Sequence, residues 1–156
     1  MLGTESIVME KWNRARGSAL GRWLFSRAVG RFAPYTGTIG ARIQVLEPGR
    51  SVVTMRDRKA VRNHLNSVHA VALTNLVELA GSLSIIASLP ADTRMIPVRL
   101  ETDFIKKGRG LMTAEAGCVI PRSNEKAELP ATVVIRDEDG EEIARGRVTV
   151  VIGPNE

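Results

Sequence analysis

Arg62-Asn63-His64-Leu65-Asn66-Ser67-Val68-His69-Ala70, followed by an apolar run to Leu89, is the stretch that decides how the rest of the chain is read. Between Ala70 and Leu89 the only ionisable side chain is Glu78. A run of this length without a charged stripe reads as a helix buried on nearly every side. Leu73, Leu76, Val77, Ala80, Leu83 and Ala87 form its main apolar stripe. Asn66 and Ser67 are the expected caps at its start, and Leu89-Pro90 closes it. A carboxylate in the middle of such a helix loses hydration, so it must be paired, protonated or put to use.

Outward from the helix the pattern changes to strands. On the C-terminal side Ile96, Val98, Leu100, Thr102 and Phe104 alternate with Pro97, Arg99, Glu101 and Asp103. This predicts a half-covered antiparallel strand, with Pro97 placing its early part at an edge or a bulge. The basic turn Lys106-Lys107-Gly108-Arg109-Gly110 leads into a strand over Leu111–Ile120. Two more strands, Ala131–Arg136 and Ile143–Ile152, are joined by Asp137-Glu138-Asp139-Gly140. On the N-terminal side, alternation from Thr38 to Val45 and from Ser51 to Arg56 predicts a strand pair around Glu47-Pro48-Gly49-Arg50.

Further upstream, Ala19, Leu20, Trp23, Leu24, Ala28, Val29 and Phe32 recur at helical spacing with Arg22, Arg27 and Arg31 between them. That is a basic amphipathic helix ended by Pro34, expected to pack over one edge of the domain. Contact with a membrane surface is the weaker expectation, because Gly17, Gly21 and Gly30 interrupt the pattern. The whole reads as an α+β fold in which a curved antiparallel sheet wraps one long central helix. Residues 1–35 form an N-terminal helical extension and residues 36–156 the domain.

The 156 residues suffice for one domain with a core, and 44% apolar with 25% charged residues is an ordinary globular composition. The single cysteine, Cys118, excludes an internal disulfide framework and reads as a core thiol. No apolar core follows a basic start at the N-terminus, and the 68–89 run carries too many polar residues for a membrane span, so the expected location is the cytoplasm. Net charge is +5, of which residues 1–35 supply +4, which suits an anionic partner. Nucleic acid is not expected, since those residues are too few for a helix-turn-helix. Two histidines five apart without clustered carboxylates are no metal-ligand pattern, and no cofactor is expected.

The element order, together with Asn63, Ala70 and Glu78, resembles the hotdog fold of acyl-CoA thioesterases, nearest to the phenylacetate-pathway type and a related uncharacterised branch. The resemblance covers roughly residues 36–152. In that family an Asn or Gln lies seven residues before a backbone N–H that polarises the thioester carbonyl, and an Asp or Glu follows eight residues later. Asn63, Ala70 and Glu78 stand at those intervals. His69-Ala70-Val71 occupies the place of the family's His-Gly-Gly turn, a departure that narrows backbone approach to a ligand. Ser82 matches a hydroxyl that holds the attacking water in some members.

The resemblance implies thioester hydrolysis. Glu78 would be general base or nucleophile, the Ala70 or Val71 N–H the oxyanion donor, and Asn63 an orienting amide. One such donor is worth about 3–4 kcal/mol of barrier in other enzymes. It also implies a homodimer or dimer of dimers, with Asn63 and Ala70 of one subunit facing Glu78 and Ser82 of the other. His64 and His69 would lie near the ligand. Lys106, Lys107 and Arg109 are the first candidates for the phosphates of coenzyme A, and the N-terminal arginines the second. Against this, Glu78 could be a structural carboxylate bonded to Asn75, a hydroxyl or the backbone, His69 a structural residue at the helix start, and the basic turn simply solvated. Two other functions fit the same fold: a non-catalytic acyl-CoA sensor and, less well for want of a His-plus-acid pair, a hydratase.

Overall fold

The apolar run folds as one helix, α4 (Ala70–Ile86), and the sheet closes around it. The structure, a computed structural model, describes residues 6–155. Leu76, Val77, Ala80 and Ile85 of α4 are fully buried. Gly81, unfavourable in a helix interior by about 1 kcal/mol relative to Ala, is placed by close packing: a Cβ there would lie 2.6 Å from Val148 Cγ2.

Two expectations for this helix are corrected. Its cap is neither Asn66 nor Ser67 but His69, whose Nδ1 accepts the Val71 N–H at 3.0 Å. Asn66 sits at φ +57° and Ser67 is buried, its N–H and hydroxyl turned to Asn63, so the chain is still in a turn there. Nor is α4 buried all round. Val71 is 51% exposed, and Thr74, Glu78 and Ile86, at helical spacing from it, are half-buried. One stripe of the helix therefore opens outward from the protomer.

The six strands are β1 (Arg42–Glu47), β2 (Arg50–Arg56), β3 (Thr93–Phe104), β4 (Leu111–Cys118), β5 (Ala127–Arg136) and β6 (Glu142–Pro154). They pair antiparallel in the order β1-β2-β4-β5-β6-β3. Val53, Met55, Met112, Ala114, Val133, Ile135, Val148 and Val150 project from the inner face onto α4. Pro130 sits in β5 just past the Cys118–Ala131 pair where β4 stops, so its missing N–H breaks no ladder bond on that side. β1 begins at Arg42, not Thr38, because Thr38–Ala41 are turning out of a helical turn and Gly40 sits at φ +61°.

β3 is an edge strand whose register shifts between Pro97 and Arg99, as Pro97 foretold. The bulge changes which side chains share a face. Met95 and Pro97 lie beside Ile152 and Val150, whereas beyond the bulge Leu100, Thr102 and Phe104 lie beside Val148, Gly146 and Ala144. Ile96 therefore points away from Leu100, and the expected single row from Ile96 to Phe104 is split by that one extra residue. Ile96, Val98, Leu100 and Phe104 all remain exposed in the protomer.

The N-terminal extension contains α1 (Ile7–Ala15), α2 (Ala19–Phe32) and the short α3 (Pro34–Gly37). Trp12 meets Phe25 edge-on at 5.2 Å between ring centroids. The face of α2 that packs is Phe25, Ser26 and Val29, of which only Val29 belongs to the expected stripe: Leu20, Leu24 and Phe32 are exposed, Phe32 at 92%. The reason lies on edge strand β1, where the Ile43 N–H is taken by the Ser26 hydroxyl at 2.8 Å. Satisfying that edge group fixes the rotation of the helix. Among the described residues no helix is long and apolar enough to cross a membrane.

Candidate active site

Residues 57–69 form a loop tied at several points. The Asp57 Oδ1 accepts from Arg62 Nε at 2.6 Å and its Oδ2 from the Gly110 N–H at 3.3 Å. The Arg62 guanidinium beside Asp57 holds this carboxyl below the usual carboxylate range against the opposing effect of burial. Arg62 pairs across the loop with Val68, the Asn63 N–H reaches the Ser67 carbonyl at 2.9 Å, and the His69 N–H reaches the Val61 carbonyl at 2.8 Å. Val68 N–H in turn donates to Gly108 O at 2.9 Å. The loop delivers Asn63 and the start of α4 as one braced unit.

Within it, Asn63 is used at one end only. Its Oδ1 accepts from the Leu65 N–H at 2.9 Å, the Ser67 N–H at 3.3 Å and the Ser67 hydroxyl at 3.2 Å. Among the described residues no acceptor takes its Nδ2. At the helix start the Val71 N–H is taken by His69, so of the two expected oxyanion donors only the Ala70 N–H is left without an acceptor among the described residues. It lies at the positive end of the α4 dipole. His69 thus serves the cap, and His64 is exposed on the loop.

Glu78 lies on the outward stripe of α4, half-buried, and its Oε1 accepts the Ser82 hydroxyl at 2.8 Å. Asn75 does not bond to it; its Nδ2 donates to the Tyr35 carbonyl at 3.3 Å. The two halves of the expected site are apart within one chain. Eight residues of helix separate Ala70 from Glu78, about 12 Å along the axis.

Lys106 bonds to Glu141 and lies 3.8 Å from Asp137, while the Arg109 guanidinium donates to the Asn66 and Leu65 carbonyls at 3.2 and 3.5 Å. Lys107 is exposed. Sequence reasoning missed a cleft of about 180 Å³ at the start of α4, lined by Tyr35, Thr38, Arg62, His69, Val71 and Asn75 among others. Its one signal was Asn75, an amide one position after Thr74 in the mainly apolar run. Among the described residues no group of His, Cys, Asp or Glu is arranged to hold a metal ion.

No curated protein matches the chain. Solved structures do. A structural-genomics protein is 29% identical, with 94% of this chain and 97% of that one covered at a TM-score of 0.79. A probable thioesterase of unknown function from Pseudomonas aeruginosa is 24% identical, covering 83% and 93% at 0.74. A thioesterase from Haemophilus influenzae is 16% identical, covering 99% and 96% at 0.72. These likenesses establish the α+β hotdog fold, with its curved antiparallel sheet and long central helix. Over residues 21–152 the chain matches the family described as domain of unknown function DUF4442, a hotdog-like family, and it belongs to that family.

Proposed function

We propose that the protein is an acyl-CoA thioesterase that hydrolyses a thioester to free acid and coenzyme A, assembled as a homodimer or a dimer of dimers. The observation that carries this is the presence of two incomplete halves: at one end of α4 an Ala70 N–H and an Asn63 Nδ2 without acceptors among the described residues, and on its open stripe Glu78, bonded to the buried Ser82 hydroxyl. A reacting carbonyl must sit within about 3 Å of its oxyanion donors, so a carboxylate some two helical turns away in the same chain cannot serve it. A second copy facing the open stripe can. The exposed Ile96, Val98, Leu100 and Phe104 of edge strand β3 support such a neighbour, since a long uncovered apolar edge is a liability in a lone protomer.

In this reading the thioester carbonyl oxygen lies against the Ala70 N–H, with Asn63 Nδ2 aimed at the carbonyl or the attacking water. Glu78 of the facing copy takes a proton from that water, which Ser82 helps to hold. The water oxygen bonds to the carbonyl carbon, the developing negative charge falls on the oxygen at the helix start, and the C–S bond then breaks. The proton held by Glu78 passes to the leaving thiolate. Glu78 can alternatively attack the carbon itself, with water releasing the acid from the resulting anhydride.

The test is thiol release from a panel of acyl-CoAs of increasing chain length. Glu78→Gln is expected to lower kcat by about 100-fold or more, the ordinary contribution of a general base, with an unchanged melting temperature. Equal rates in both proteins would remove Glu78 from the reaction. Tight acyl-CoA binding without turnover of any member of the panel by the wild type would replace hydrolysis with acyl-CoA sensing.

A further inference from the structure

A second cleft lies in the N-terminal region, away from Asn63 and Glu78. It measures about 600 Å³ and runs between α2 and the start of β1, lined by Trp23, Arg27, Arg31, Thr38 and Arg42 among others. Small-molecule sites span about 300–1,000 Å³. No acidic residue lines it. At one end the Arg58 guanidinium donates to the Thr38 carbonyl at 2.7 Å, next to Gly40, where a Cβ would come within 3.0 Å of Arg58 Nη2.

None of these four arginines makes a salt bridge among the described residues, whereas Arg14, Arg50, Arg62, Arg99, Arg136 and Arg145 each do. Arg27, Arg31 and Arg42 line this one concavity with no carboxylate among its lining residues, and together they raise a positive potential there that a bound anion would neutralise. Guanidinium forks match phosphate oxygens two at a time. Trp23, with Arg27 stacked at 5.3 Å from its ring centroid, adds an aromatic surface at the rim. The basic turn at 106–109 is the poorer candidate, because Lys106 is held by carboxylates and Arg109 by loop carbonyls.

The position of the cleft specifies the ligand further. Thr38 lines both this cleft and the smaller one that reaches His69 and Val71 at the start of α4. A molecule with phosphates at one end and a thioester at the other could lie along the two. We infer that the arginine-lined cleft binds the phosphorylated nucleotide end of a CoA-type thioester, an assignment that rests on the proposed thioesterase reading for the identity of the other end.

The experiment uses the full chain and the exposed triple variant Arg27→Gln/Arg31→Gln/Arg42→Gln. Adenosine 3′-phosphate 5′-diphosphate, which carries the phosphates but no thioester, is titrated calorimetrically. An acyl-CoA and the matching acyl-N-acetylcysteamine, which lacks the phosphates, are assayed for thiol release. The wild type is expected to bind the nucleotide with an affinity that weakens as salt is added, and the triple variant at least about tenfold more weakly. KM for acyl-CoA should rise by a similar factor at constant kcat, with the N-acetylcysteamine thioester turned over equally by both proteins. Equal nucleotide affinity in both, or no nucleotide binding by the wild type, overturns the assignment even if both hydrolyse thioesters. If neither thioester is hydrolysed by the wild type but nucleotide binding is lost in the variant, the phosphate cleft stands and the thioesterase reading fails.

Discussion

The two ends of the Asn63 amide are used differently. Its oxygen gathers three donors and shapes the turn before α4, while among the described residues its nitrogen has no acceptor, and the proposed reaction gives it one in the substrate or water. Asn63→Asp keeps the acceptor and removes the donor, so the loop and the melting temperature should be retained while kcat/KM for thioester hydrolysis falls by about tenfold or more, the equivalent of one lost hydrogen bond of about 1.4 kcal/mol. Steady-state kinetics beside a thermal melt would separate this from Asn63→Ala, which removes both functions. That Glu78 and Ser82 lie within reach of each other was legible in the sequence, because a four-residue spacing brings side chains together on one helix face. The role of His69 was not: whether Nδ1 or a neighbouring Ser or Asn caps the helix depends on where the turn ends, and Asn66 at φ +57° delays that end.

At the scale of elements, two joints hold the residues of the proposed site in place. The first is the loop from Asp57 to His69. The folded-state carboxyl of Asp57 is depressed below its ordinary 3.8, chiefly by the hydrogen bond from Arg62. Its contribution to stability is therefore present above the unfolded carboxylate's range and is lost as pH falls below about 4 through the depressed value. Urea titrations of wild type and Asp57→Asn should differ by a constant amount from pH 5 to 7 and converge towards pH 2; a difference that persists undiminished in acid would rule out this linkage. The second joint is the close approach of α4 to the sheet. A Cβ on Gly146 would lie 2.3 Å from Val77 Cγ1 and 2.9 Å from the Glu101 carbonyl oxygen. Gly146→Ala should therefore destabilise by about 1–3 kcal/mol in chemical denaturation, the range for overpacking, although the backbone alone would favour Ala by about 0.4–1 kcal/mol. Neither joint was visible in the sequence, since each depends on contacts between residues some 50 to 70 positions apart. The rotation of α2 was hidden for the same reason: Ser26 reads as an unremarkable polar residue until it meets the Ile43 N–H of the edge strand.

At the scale of the molecule, the order of two strands, one long helix and four strands could be read from hydrophobic period, and with it the wrapped-helix architecture, whereas α1 and α3 were not read. What period could not supply was which side chains of β3 face inward, because a bulge at Pro97–Arg99 inverts the alternation. That strand and the open stripe of α4 leave the protomer with an uncovered side, and the proposed site needs a second copy there. Subunit complementation tests this most directly. Glu78→Gln and Asn63→Asp proteins, each impaired alone, are mixed in equal amounts under conditions that allow subunits to exchange, and thioester hydrolysis is measured. If each site takes Glu78 from one chain and Asn63 from the other, half the dimers are mixed and each of these holds one intact site, so activity should recover to roughly a quarter of wild type, as the non-additive behaviour of residues acting as one unit requires. No recovery, with exchange verified by mass, would place both residues in a site within one chain and contradict the account.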